Sequence, residues 1–89
     1  MGKKIEKYLI EQVENLRGLC VKVPPLFFRG FPDRIVLLPG GVIAFVEVKA
    51  PGAKPTLIQR KVHARLRLLG FRVEVLDSNE SVDGFILTL

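Results

Sequence analysis

Hydrophobic residues recur at helical spacing in the first part of the chain. Residues 3–17 have this pattern, which predicts an amphipathic helix ended by a capping glycine, Gly18. The apolar stripe of this helix consists of Ile5, Leu9, Ile10, Val13 and Leu16. Glu6 projects within the arc of that stripe, whereas Glu11 and Glu14 project outside it, as solvated helix residues do.

The middle of the chain changes to the spacing of β-strands. Residues 19–23 predict a short strand, and two prolines end it. Residues 34–38 and 42–48 are rich in β-branched and aliphatic side chains, and Pro39-Gly40-Gly41 between them predicts a hairpin with a three-residue loop.

The register of this hairpin decides which charged residues meet. If Leu38 pairs with Val42, then Asp33 falls opposite Glu47. A slip of one residue would instead bring Val46 opposite Asp33, and the sequence leaves both registers open.

Helical spacing returns after the hairpin. Thr56 and Gln59 have the spacing of a capping box, which predicts a second helix that runs through Leu69 and ends at Gly70. Its predicted buried stripe is Ile58, Val62, Leu66 and Leu69, and its predicted outer side is Arg60, His63 and Arg67. His63 is thus expected at the surface.

Two further apolar runs, residues 71–76 and 84–89, are predicted as strands. The predicted order is αβββαβ(β), an α/β fold in which helices flank a small mixed sheet. The chain length of 89 residues predicts one domain over residues 1–89.

Charge is distributed unevenly over this chain. The net charge is +5, yet residues 46–72 contain seven basic side chains and a single acidic one, Glu47. A polyanion such as DNA would suit that segment. A structural zinc site is not expected, because the chain has only one cysteine and one histidine. We expect a cytoplasmic protein, since neither a signal peptide nor a membrane span is predicted, and no nucleotide-binding loop is present.

Asp33, Glu47 and Lys49 form the most informative constellation. Glu47 and Lys49 lie on one face of their strand, and the hairpin can bring Asp33 beside them. Paired carboxylates suit Mg²⁺ or Mn²⁺, and a nearby lysine can act on a water molecule, which indicates phosphodiester hydrolysis. The alternative is that Asp33 is a turn residue and that Glu47 and Lys49 are a solvated pair. Against it, the strand is apolar on both faces.

The segments Arg29-Gly30-Phe31-Pro32-Asp33-Arg34 and Phe45-Val46-Glu47-Val48-Lys49, with Gln59 downstream, resemble the VRR-NUC branch of the PD-(D/E)XK nuclease superfamily. This resemblance implies a restriction-endonuclease-like core. It implies that Asp33, Glu47 and the Val48 carbonyl bind Mg²⁺ or Mn²⁺ and that Lys49 is catalytic. Gln59 resembles a glutamine that supports the site, although it could equally be a capping residue, or both. Glu6 best fits the acidic residue that the family has on its first helix.

The resemblance also implies an activity and a partner. Members that consist of this domain alone, as in phages, resemble symmetric dimers that cut branched DNA such as four-way (Holliday) junctions, so we expect a metal-dependent endonuclease that acts as a homodimer. Two alternatives stay open: a non-catalytic module that binds branched DNA, and a nuclease that acts on flaps or linear ends.

Two sets of residues are candidates for contacts with partners. The candidate DNA contacts are Arg29, Arg34, Lys54, Arg60 and Lys61. An apolar loop could line either the core or a dimer interface, with the interface favoured; its residues are Leu26, Phe27, Phe28 and Phe31.

Overall fold

The computed structural model describes residues 3–89, which form a four-stranded sheet with helices on both faces. The elements in chain order are α1 (Lys3–Asn15), β1 (Leu19–Lys22), β2 (Arg34–Leu38), β3 (Val42–Val48), α2 (Leu57–Leu68), β4 (Arg72–Leu76) and α3 (Asn79–Leu87). The strands lie in the order β1-β2-β3-β4. The β1–β2 and β2–β3 pairs are antiparallel and the β3–β4 pair is parallel, which confirms the small mixed sheet.

The predicted hairpin forms in the first of the two possible registers. Leu38 pairs with Val42 and Arg34 with Val46, so Asp33, one residue before β2, falls opposite Glu47. The glycines of the connecting loop, Gly40 and Gly41, have φ angles of 85° and 77°, a region that L-residues other than glycine rarely adopt. Loop chemistry therefore sets the register.

The main core lies between the sheet and the pair α1 and α3. Leu9, Val13, Val36, Val46 and Val82 are completely buried there, which confirms the predicted stripe of α1 over most of its length. Leu16, predicted in that stripe, is 43% exposed because α1 ends before it.

Helix α3 replaces the strand predicted over residues 84–89. Ser78 and Ser81 cap its N-terminus reciprocally, and Val82 and Phe85 face the core. That spacing of three residues, continued by the half-buried Ile86 and Leu89, is helical. The short apolar run at the end of the chain concealed this period.

The end of α1 also differs from the prediction. The residue in the left-handed conformation is Arg17, with φ of 65°, and the Gly18 N–H donates to the Val13 carbonyl at 3.0 Å. Gly18 is needed for a different reason: a Cβ there would lie 2.5 Å from the Leu37 carbonyl oxygen. The glycine allows the chain to pass close to β2.

Helix α2 packs on the opposite face of the sheet. Leu66 joins Phe45 and Val73 in a second, smaller core. Phe31 packs edge-on against Phe45 with ring centroids 5.4 Å apart, so the loop before β2 is fastened to the sheet. Among residues 3–89, no helix is long and apolar enough to cross a membrane.

Two glycine substitutions should have opposite effects on stability. We expect Gly18→Ala to lower the free energy of unfolding by about 1–3 kcal/mol, because the new methyl group meets backbone. Gly84→Ala, in α3, meets no atom within 4 Å and should raise it by about 1 kcal/mol through helix propensity. Urea unfolding of the two variants checks this pair, and a stabilising Gly18→Ala would contradict the close approach.

Candidate active site

The candidate site lies where the hairpin opens, between α1 and the N-terminal half of α2. Asp33 lies just before β2, and both of its carboxylate oxygens accept a hydrogen bond from the Val48 N–H, at 3.2 and 3.3 Å. This backbone contact fixes the orientation of the Asp33 carboxylate. It also holds that carboxylate beside the end of β3, where Glu47 and Lys49 lie.

Glu47 carries its carboxylate into the interior. Glu47 is only 4% exposed, and the cation nearest to its carboxylate is Lys49, whose Nζ lies 3.9 Å from Glu47 Oε2. Gln59 of α2 donates from Nε2 to the same oxygen at 3.4 Å. A buried carboxylate surrounded in this way needs positive charge or a proton.

The Asp33 carboxylate disfavours the ionisation of Glu47. Burial, and then the neighbouring Asp33 carboxylate, raise the pKa of Glu47 to about 8. Burial also raises the pKa of Asp33, against the opposing effect of the Val48 hydrogen bond. Asp33 and Glu47 would be the residues that hold a divalent cation, and its positive charge would favour their charged forms.

Gln59 caps α2 and also contacts Glu47, and its support of an active site stays a prediction. Its side chain accepts a hydrogen bond from the Thr56 N–H at 2.9 Å, and the Thr56 hydroxyl accepts from the Gln59 N–H, which confirms the capping box. The same amide reaches Glu47. The side chain that caps α2 thus also contacts the buried carboxylate.

Glu6 reaches the site from α1. It lines an open cleft of about 490 Å³ together with Asp33, Val48 and Lys49. Arg34 is 8% exposed and donates from Nε to Glu6 Oε2 and from Nη1 to the Cys20 carbonyl, both at 3.2 Å. The guanidinium therefore lies beneath the cleft and orients Glu6. Arg34 as a DNA contact stays a prediction.

The other candidate DNA contacts lie outside this centre. Arg29 and Gln59 line a shallow hollow beside the start of α2, and Lys54, Arg60 and Lys61 are exposed. Their contact with DNA stays a prediction. Lys22 is a further residue of this cleft that no sequence pattern indicated; it lines the same cleft as Asp33, with its Nζ 4.0 Å from Glu6 Oε2.

The prediction for His63 is wrong. It is 1% exposed, and its Nε2 lies 3.5 Å from Glu47 Oε1. Helix α2 is rotated relative to its predicted stripe, so that Ile58 and Leu69 are 36% and 62% exposed while Gln59 and His63 face β3. The signal was present in the spacing, since two polar residues four apart share one helix face.

The donor set fits a small divalent cation that retains water ligands. Among residues 3–89, no three His, Cys, Asp or Glu side chains form a complete metal-binding cluster. Mg²⁺ requires fewer protein ligands, because it is commonly held by one or two carboxylates with water completing the octahedron. Glu47 Oε1, buried and without a hydrogen-bond partner in the described chain, is a free ligand atom for such an ion. The Val48 carbonyl as a third ligand stays a prediction.

Known proteins that are similar to this chain include a phage protein and a solved structure. A phage protein named "Putative nuclease p44", from Acyrthosiphon pisum secondary endosymbiont phage 1, is 51% identical over 76 residues, which are 85% of this chain and 82% of that protein. A solved structure described as a VRR_NUC domain superposes with a TM-score of 0.90 at 40% identity, covering 97% of this chain and 94% of the other. No family model matches the chain.

The raised pKa of Glu47 predicts that this residue makes the metal-free protein less stable as the pH rises. Between pH 4.5, the ordinary carboxyl value, and pH 8, the folded state binds more protons at this group than the unfolded state. The contribution of Glu47 to stability is therefore present below pH 4.5 and is lost as the pH rises through 8.

Thermal unfolding of wild type and Glu47→Gln in a chelator checks this expectation. The variant should become the more stable protein as the pH rises from 6 to 9, with a difference that grows to a few kcal/mol. Comparing the two proteins isolates Glu47 from other titrating groups. A difference that stays constant with pH would contradict the raised pKa.

Proposed function

The chain belongs to the VRR-NUC family of nucleases, and on this premise we propose that it is a Mg²⁺- or Mn²⁺-dependent endonuclease that cuts branched DNA as a homodimer. The observation that carries the proposal is the convergence of Asp33, Glu47 and Lys49 at the end of one hairpin. Each element of that convergence has a separate structural cause, namely loop register, a backbone hydrogen bond and burial by α2.

The residues divide the work of phosphodiester hydrolysis between them. Asp33, Glu47 and, as a further candidate, the Val48 carbonyl would hold the metal ion, which supplies positive charge to the phosphoryl oxygens and acidifies water. Lys49, 19% exposed in its side chain, is the group in the centre that can orient the attacking water or take part in its deprotonation. The water oxygen forms the new bond to phosphorus as the bond to the leaving sugar oxygen breaks.

The cleft beside this centre has the charge distribution that DNA would require. Lys3, Lys22 and Lys49 line it along with the acidic pair Glu6 and Asp33. Lysines on the rim can attract and align the phosphate backbone, whereas the carboxylates at the centre need a cation before a phosphate can approach. Binding of DNA and of metal should therefore support each other.

An open apolar face of the sheet supports the homodimer. Helix α2 covers only Phe45, Val73 and their neighbours on its side of the sheet. α2 does not cover the other strand residues that face this side of the sheet. Of these, Leu19 is 63%, Val21 41% and Ile43 37% exposed. The apolar loop adds to this face, because Phe28 packs on Phe31 with ring centroids 5.4 Å apart.

The four residues of the apolar loop, predicted to line either the core or a dimer interface, differ in their exposure. Phe31 is half-buried on Phe45, whereas Leu26, Phe27 and Phe28 are 97%, 79% and 54% exposed. Contiguous apolar surface of this kind is typical of an interface. A second copy is the occupant that we propose, because two symmetric sites would let so small a protein cut both strands of a junction. We place its action in the cytoplasm of a bacterial or phage-infected cell.

Cleavage of a labelled four-way junction by purified protein tests the catalytic proposal. We expect cutting with Mg²⁺ or Mn²⁺ and none with chelator. Lys49→Ala should lower the rate about 100-fold or more through loss of its action on water, and Glu47→Gln should abolish cutting. Glu14→Gln, a change at an exposed carboxylate of α1, serves as the matched control and should cut normally. Equal cutting with chelator would refute the proposal; metal-independent binding of the junction without cutting would support the non-catalytic alternative.

Solution mass tests the dimer and its surface. Leu19→Glu places a charge on the open sheet face and should convert the protein from dimer to monomer in light scattering. Leu87→Glu, at a residue that is 85% exposed on α3 across the sheet, should leave the dimer intact. The monomeric variant should also lose symmetric paired cuts across the junction. Paired cuts made by a wild-type protein that is monomeric would contradict the dimer. Cutting of flap or linear ends alone would favour the alternative of a nuclease that acts on those ends.

A further inference from the structure

The buried imidazole of His63 has no assigned part in the proposed hydrolysis. Two buried side-chain atoms in the described part of the chain lack a hydrogen-bond partner, and they face each other: Glu47 Oε1 and His63 Nε2, 3.5 Å apart. His63 is also one helical turn after Gln59, which contacts the other oxygen of the same carboxylate. Burial of both a polar donor and a polar acceptor in one place requires a reason.

The chemistry of the two atoms decides how they can interact. A neutral imidazole has a single N–H, on Nδ1 or on Nε2, and a charged imidazole has an N–H on both. A carboxylate that binds a cation is ionised and its oxygens only accept, so the imidazole can bond to it by carrying a proton on Nε2. The separation exceeds the usual N–H···O range by a few tenths of an ångström, and a small movement of either side chain closes it.

We propose that His63 is a positioning residue that donates from Nε2 to Glu47 Oε1 and, together with Gln59 on Oε2, fixes the plane of the metal-binding carboxylate. This inference rests on the proposed function, because it matters only if Glu47 binds a cation. Each carboxylate oxygen has more than one lone pair, so each can accept from α2 and still face an ion. Helix α2 thereby presents two donors, four residues apart, to one ligand of the strand.

The proposal accounts for the rotation of α2. A helix packed by its apolar stripe alone would bury Ile58 and Leu69, yet both are exposed while His63 is buried. Burial of an imidazole in place of an aliphatic side chain makes sense where the facing strand carries a buried carboxylate. The packing of the helix and the orientation of the ligand are then the same interaction.

Manganese binding to His63→Leu and His63→Gln tests the proposal without relying on activity. Leu removes the donor, whereas the Gln amide nitrogen can occupy nearly the same place as Nε2. We expect Leu to weaken Mn²⁺ binding by about 10–100-fold, as loss of an outer hydrogen bond to a metal ligand does, and Gln to restore most of the affinity. Free Mn²⁺ measured by electron paramagnetic resonance gives the dissociation constant directly.

Leu66→Ala is the control for packing, since Leu66 is buried on the same helix in the smaller core. It should lower the melting temperature yet leave Mn²⁺ affinity unchanged. In cleavage assays, His63→Leu should lower kcat at limiting Mn²⁺, recover at high Mn²⁺ and leave KM for DNA unchanged. A side chain that acts only in packing would not produce this separation.

The outcomes distinguish this inference from the proposed function. If wild type binds Mn²⁺ and His63→Leu binds it equally well, the positioning role is overturned and the function stands. If wild type neither binds Mn²⁺ nor cuts DNA, the function itself fails. Should His63→Leu not fold, His63→Asn, whose shorter amide does not reach Oε1, must bind Mn²⁺ more weakly than His63→Gln; equal affinities overturn the proposal.

Discussion

A carboxylate buried at 4% exposure is the constraint around which this fold is arranged. Glu47 ends the hydrophobic run of β3, and nearly every element near it supplies a group that limits the cost of its burial. Lys49 follows it on the same strand, and Gln59 and His63 approach from α2. Asp33, opposite on the hairpin, has the contrary effect, because a second carboxylate disfavours the ionisation of Glu47. An unpaired charge in that position would destabilise the protein by several kcal/mol.

The same constraint links stability to activity. A carboxyl pair with raised pKa values is held in a less favourable state than either residue would have in water, and a cation removes that disadvantage. Arg34 solves the corresponding problem for Glu6 on the other side of the sheet, since its buried guanidinium already neutralises that residue. The centre therefore has one acid paired with a buried cation of the protein and two whose ionisation a bound cation would favour.

Local chemistry made much of this arrangement predictable. The Pro-Gly-Gly loop predicted the hairpin but not its register, which the structure supplies. The Thr56–Gln59 pair predicted where α2 begins, and alternation along β3 predicted that Glu47 and Lys49 share one face. The errors arose where a choice depends on tertiary contacts. The rotation of α2 follows from a buried partner on another element, and hydrophobicity alone puts His63 outside. The terminal apolar run is a helix because α1 and the sheet offer it a surface to pack on.

The number of protons released on metal binding shows whether a cation takes the place of a proton on the buried Glu47 carboxyl group. At pH 7 a Glu47 with a pKa of about 8 is mostly protonated in the metal-free protein, so binding of Mn²⁺ must displace that proton. Calorimetric titration in buffers of different ionisation enthalpy measures the number released. We expect the release of close to one proton per bound Mn²⁺ at pH 7, and this number should fall toward zero above pH 9. Binding without proton release, or no binding at all, would contradict it.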